Sequence, residues 1–115
     1  PAGVTVLANS PREEPWPKAG WLQDAVGRYL AARDEPDPEE LLALVARRMP
    51  VAEPADDSLP ARARVTPFLA GDDYGSRAST LVIADAAGGW SCTERRFGPG
   101  GRPAGESRAR HYPAP

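Results

Sequence analysis

The sequence predicts an α+β unit in the order strand, two helices and a strand meander. Three observations carry that reading. Apolar residues recur at helical spacing between Lys18 and Met49. Thr80, Leu81, Val82, Ile83 and Ala84 form an unbroken run, and glycine-rich turns stand at 86–89 and 98–105.

Taken in order, "GVTVLA" at 3–8 is β-branched and apolar, which predicts a short buried strand ended by Asn9-Ser10-Pro11. Pro15 and Pro17 then prevent regular pairing. From Lys18, Trp21, Leu22, Ala25, Val26, Tyr29 and Leu30 fall on one helical face, with Gln23, Asp24 and Arg28 opposite. Asp37 as cap, Pro38 at the first helical position and Glu40 three residues after the cap mark a second helix. Its stripe is Leu41, Leu42, Val45 and Met49, and Pro50 stops it. The short connection predicts an antiparallel helix pair.

Residues 50 to 64, "PVAEPADDSLPARAR", read as a surface or mobile loop. Val65 to Leu69 reads as a short edge segment, demoted by Pro67. The run at 80–84 has no polar face, the pattern of a strand covered on both sides. "AAGG" turns it into a strand over Trp90 to Phe97, and Glu106 to Tyr112 returns as a third.

Composition bounds the rest. The 115 residues have room for one domain or part of one. Leu, Ile, Val and Phe number 19 of 115, below the roughly 20% at which a chain builds its own core easily. The net charge is only −2, unlike a disordered chain. That combination points to a folded piece that leans on something else. Near-neutral charge gives no reason to expect nucleic acid. No apolar run approaches the roughly 20 residues of a membrane span, and no signal peptide is recognisable. One cysteine, Cys92, excludes an internal disulfide and suits the cytoplasm.

Two blocks then carry a resemblance. "VTVLANSPREEPWPKAGWL" resembles the block SNxxLDTPWPK of the NRDE family, which includes the Transport and Golgi organisation proteins. Asn9, Pro15, Trp16, Pro17 and Lys18 match, and Glu13 stands for the usual Asp. "DDYGSRASTLVIADAAGGWSCTERRF" resembles YGTRxSTxxLxDxxGxxxFxERTF through Tyr74, Gly75, Arg77, Ser79, Thr80, Asp85, Gly89, Glu94, Arg95 and Phe97. The family's Met-Cys start and Asn-Arg-Asp-Glu signature do not occur, so the resemblance is to a C-terminal half, with 1–115 one portion of a single NRDE domain.

The resemblance implies part of a four-layer αββα sandwich similar to N-terminal nucleophile hydrolases, which cleave amide C–N bonds with a processed first residue. In the related cysteine amidases an asparagine at a strand end helps hold the oxyanion and an arginine borders the nucleophile. Asn9 and Arg77 stand at those positions. An amide donor can stabilise developing negative charge, and a cation can lower a thiol's pKa. The nucleophile would lie on the missing N-terminal half, the expected partner, and this chain alone would be inert. The alternative is non-catalytic binding or trafficking of a small hydrophobic ligand such as haem.

Blander readings stand beside these. Arg77 can pair with Asp72, Asp73 or Glu94, or simply reach solvent. Asn9 by itself is a strand-ending turn residue. Trp16 can be a binding-site aromatic or a packing staple. Cys92 is mid-strand and far in sequence from His111, which favours packing over catalysis. An exposed N-terminal Pro1 can itself act as a catalytic base, but no motif here supports that reading. His111 lacks companions at metal spacing, so no metal and no cofactor is expected. "GPGG" lacks the Gly-Lys-Ser/Thr ending of a phosphate loop.

Overall fold

A computed structural model describes residues 3–10 and 14–115. Pro1 and Glu13 lie outside the described residues. The fold is α+β, with helices α1 (Pro17–Ala31), α2 (Pro38–Val45) and α3 (Leu59–Val65) followed by strands β1 (Ala78–Ala84), β2 (Trp90–Phe97) and β3 (Pro103–His111). The chain divides into two compact units, Pro1–Leu69 and Ala70–Pro115.

In the helical unit, α1 begins with Pro17 at its first position, where a missing N–H costs nothing. Trp21, Leu22, Ala25, Val26 and Tyr29 are half-buried while Gln23, Asp24 and Arg28 are exposed, as the period predicts. Leu30 departs from the pattern and is exposed. The α2 start also follows the sequence: Asp37 Oδ1 accepts from Glu39 N at 2.9 Å. Glu40 does not reach back to close the cap. It pairs with Arg33 at 3.1 Å, and the Asp37 amide donates instead to Tyr29 Oη at 2.8 Å, which ties α2 to α1.

Four expectations change. "GVTVLA" forms no strand, because among the described residues of this unit no neighbouring strand offers a ladder. It runs along α1, with Gln23 Nε2 donating to the Val4 carbonyl at 3.0 Å, and Leu7 is 90% exposed. The α2 helix ends at Val45, leaving Met49 beyond it and 69% exposed. The cause is competition for backbone groups: the Arg47 carbonyl accepts from Phe68 N at 2.8 Å, and Val51 N donates to the Val65 carbonyl at 2.8 Å.

The stretch 50–64 contains most of a helix, and Val65 ends that helix instead of opening an edge segment. Ser58 caps α3 by accepting from Ala61 N at 3.3 Å. Ala61 and Val65 lie one turn apart and are buried. With Leu42 and Phe68 they form the apolar core, and Thr66 is buried beside them.

In the sheet unit the order is β1-β2-β3, antiparallel throughout. Asp85 holds the β1–β2 turn: its Oδ1 accepts from Ala87 N and Gly89 N, each at 2.9 Å. Gly88 sits at φ 92°, where a side chain would be strained. A register shift at Arg96/Phe97 and a short 3-10 turn at Pro99–Gly101 bend the chain into β3.

Cross-strand pairing sorts the side chains onto two faces. One face carries Val82 opposite Cys92, which faces Ala109, and Thr80 opposite Glu94, which faces Ser107. The other carries Leu81 and Ile83 with Thr93, Arg95, Glu106 and Arg108. The apolar run of β1 predicts cover on both sides. The observed burial alternates along β1, and Val82 is 62% exposed. All of β3 is exposed. Within this unit nothing described lies over the Val82 face.

Candidate functional site

The helical unit contains a cleft of about 300 Å³. The segment before α1 supplies Val6 and Asn9, α1 and its cap supply Trp16, Lys18 and Leu22, and Val45 and Pro67 close the wall. Each piece is positioned by local sequence. The Pro-Trp-Pro run keeps Trp16 extended at φ −71°, ψ 145° as the N-cap of α1, so its ring stands at the cleft mouth. Lys18, two residues on, lies in the first helical turn.

Trp16 provides no side-chain cap, and α1 has no acidic residue in its first turn. An ammonium at that end is opposed by the helix dipole. Lys18 Nζ rests 5.2 Å from the Trp16 ring centre, a cation–π contact. Burial holds the Lys18 pKa below the ordinary lysine value. Among the described residues no carboxylate pairs with it. The Asn9 amide likewise has no hydrogen-bond partner among them. The cleft is thus an apolar recess with an ammonium and a free amide at its rim.

Arg77 lies in the sheet unit, one residue before β1. Its carbonyl accepts from Phe97 N at 2.8 Å, extending the ladder. Its guanidinium is exposed and donates one long bond, Nη1 to the Gly98 carbonyl at 3.4 Å. Among the described residues neither Asp72 nor Asp73 pairs with it. Glu94 is engaged elsewhere, accepting from Thr80 Oγ1 at 3.2 Å and Arg96 Nη1 at 3.4 Å. Of the two site residues predicted from the sequence, Asn9 therefore joins a cleft with Trp16 and Lys18, and Arg77 presents a largely open guanidinium on its own unit.

Cys92 is a free, half-buried thiol between Val82 and Ala109. No hydrogen bond joins it to His111, whose ring stacks on Trp90 with centres 5.8 Å apart. Among the described residues no group of three or more His, Cys, Asp or Glu side chains could hold a metal ion. No helix among them is long and apolar enough to cross a membrane. In the sequence Lys18 reads only as part of the Pro-Trp-Pro-Lys block. The available signal was a lysine in the first turn of a helix without an acidic neighbour there.

The sequence profile of the Transport and Golgi organisation 2 family matches residues 1–99. The chain belongs to that family. The match takes in Asn9, Lys18 and Arg77 together with α1 to β2, and stops before β3. No curated protein and no solved structure gives a significant match.

Proposed function

We propose that this Transport and Golgi organisation 2 chain forms the C-terminal half of an αββα domain of the N-terminal nucleophile hydrolase type, and that it assists hydrolysis of an amide C–N bond. The reading is carried by Asn9, which lines an apolar cleft and whose amide has no hydrogen-bond partner among the described residues, as a donor held for an oxyanion requires. The attacking thiolate belongs to the partner half, with the free α-amine of the same residue as base. The thiolate adds to the amide carbonyl, the C–N bond breaks, and the amine leaves with the proton that base took. Water then cleaves the thioester to a carboxylate and restores the thiol. Asn9 would donate to the oxyanion, and Arg77 would lower the thiol's pKa.

The open Val82 face supports the partner half, because a strand face that leaves an apolar β-branched side chain 62% exposed is one that a second sheet would cover. A single thiol without a disulfide suits a reducing compartment such as the cytoplasm. The test joins this chain to its preceding coding sequence and assays amide hydrolysis. We expect no turnover from the 115 residues alone and turnover from the joined protein, with Asn9→Ala lowering kcat by about 100- to 1,000-fold. Turnover by this chain alone that Cys92→Ala abolishes would overturn the assignment.

The apolar lining of the cleft favours a second reading, non-catalytic binding of a small hydrophobic ligand such as haem. Titration with haem separates the two, since an unshifted Soret band removes haem from consideration.

A further inference from the structure

We propose that the Lys18 cleft binds a small organic carboxylate, with the apolar body of the ligand against Val6, Leu22, Val45 and Pro67 and its carboxylate on the Lys18 ammonium. The proposal stands on the helical unit alone and holds whether or not the domain hydrolyses amides. Its first support is electrostatic. The Trp16 ring lies 5.2 Å from Nζ and answers part of the charge, but a π face accepts poorly from an ammonium that carries three N–H donors. A carboxylate would accept from them directly, and such charge-assisted bonds are the strong ones.

The second support is the form of the recess. At about 300 Å³ it lies at the lower end of ligand-pocket sizes, roughly 300–1,000 Å³. That suits a compact body. Its walls are aliphatic and aromatic, and Asn9 adds one neutral donor at the rim. One ammonium and one amide match a monoanion. A phosphate, with two charges and more oxygens to satisfy, would call for an arginine or several backbone donors, and among the described residues no arginine lines the cleft. Burial also makes an ammonium costly, and it holds the Lys18 pKa below the ordinary lysine value.

The experiment is calorimetric titration of the 115-residue chain with phenylacetate, 2-phenylethanol and phenethylamine, three probes of one shape and different charge. We expect phenylacetate to bind at least about tenfold more tightly than the neutral alcohol, and the amine to bind least. Lys18→Met should bring phenylacetate down to the alcohol's affinity, while Lys18→Arg retains the preference. Leu22→Trp, which fills the recess and keeps Lys18, should remove binding of both. Absence of phenylacetate binding, equal affinity for acid and alcohol, or an unaltered preference in Lys18→Met would each overturn the proposal. Amide turnover is not read in any of these titrations, so the hydrolytic reading stands or falls separately.

Discussion

The two units of this chain are stabilised in different ways. In the helical unit, three short helices enclose Leu42, Ala61, Val65 and Phe68, with Leu42 and Phe68 fully buried. In the sheet unit no described side chain is buried, and Gly89 and Gly101 are the buried positions. Its strands are instead joined by backbone ladders and by polar pairs. Arg95 and Arg108 bracket Glu106 at 2.8 and 2.9 Å, and Arg96 bridges Glu94 and Ser107. Exposed ion pairs of this kind fix register more than they add stability. The difference teaches that a chain thin in large apolar residues can concentrate them in one part and leave the other to be covered.

The largest test of that contrast is Phe68→Ala. Removing a fully buried ring from a small core should cost about 3–5 kcal/mol. The loss should appear as a lower urea midpoint for the helical signal. A cost under about 1 kcal/mol would mean that the helical unit has no better core than the sheet.

Within the sheet unit the largest single effect should come from the turn. Asp85→Ala takes the shared acceptor from Ala87 N and Gly89 N. We expect a loss of about 1–2 kcal/mol, read as faster amide exchange across β1 and β2. Val82→Ala should matter less. A side chain 62% exposed has little contact to lose, so the change should stay within about 0.5 kcal/mol in this chain. In the joined protein the same substitution should cost more, about 1–3 kcal/mol, if a second sheet covers that face. Equal costs in the two proteins would count against the covering half.

How much of this was legible in the sequence depends on where the deciding interactions lie. The α2 start was readable because Asp37 and Pro38 act locally. The β1–β2 hairpin was readable because an apolar run, a glycine turn and a second run adjoin. The Met49 end of α2 was not, because the Arg47 carbonyl is taken by Phe68, twenty-one residues on. The α3 helix was hidden by its composition: Pro, Ala and Arg look like loop, and only Ser58 followed by Pro60 signals a cap and a first turn. "GVTVLA" has strand propensity, but propensity supplies no partner. Of the candidate site, the blocks pointed to Asn9 and Arg77, whereas the cleft that Lys18 lines is completed by Val45 and Pro67, distant in sequence.

The smallest expected effect probes the polar pairs themselves. Hydrogen bonds from Arg95 first and Arg108 second hold the Glu106 carboxyl below the usual glutamate range. A carboxylate with a lowered folded-state pKa binds fewer protons folded than unfolded, so its contribution is present above the unfolded value, about 4.3, and is lost as pH falls through the lower folded value. Acid should therefore loosen β2 against β3. Arg95→Ala should raise the Glu106 pKa towards the ordinary value in an NMR titration and move the acid response to higher pH, while Arg108→Ala should do so less. Lys18 likewise binds fewer protons folded than unfolded, because burial lowers its folded pKa, so the helical unit gains stability as pH rises from that value towards the ordinary one. Acid sensitivity in the β2–β3 amides and alkaline gain in the helical signal would thus separate the unit ordered by exposed charge from the unit ordered by burial. A single transition shifting both signals together at both extremes would erase the contrast.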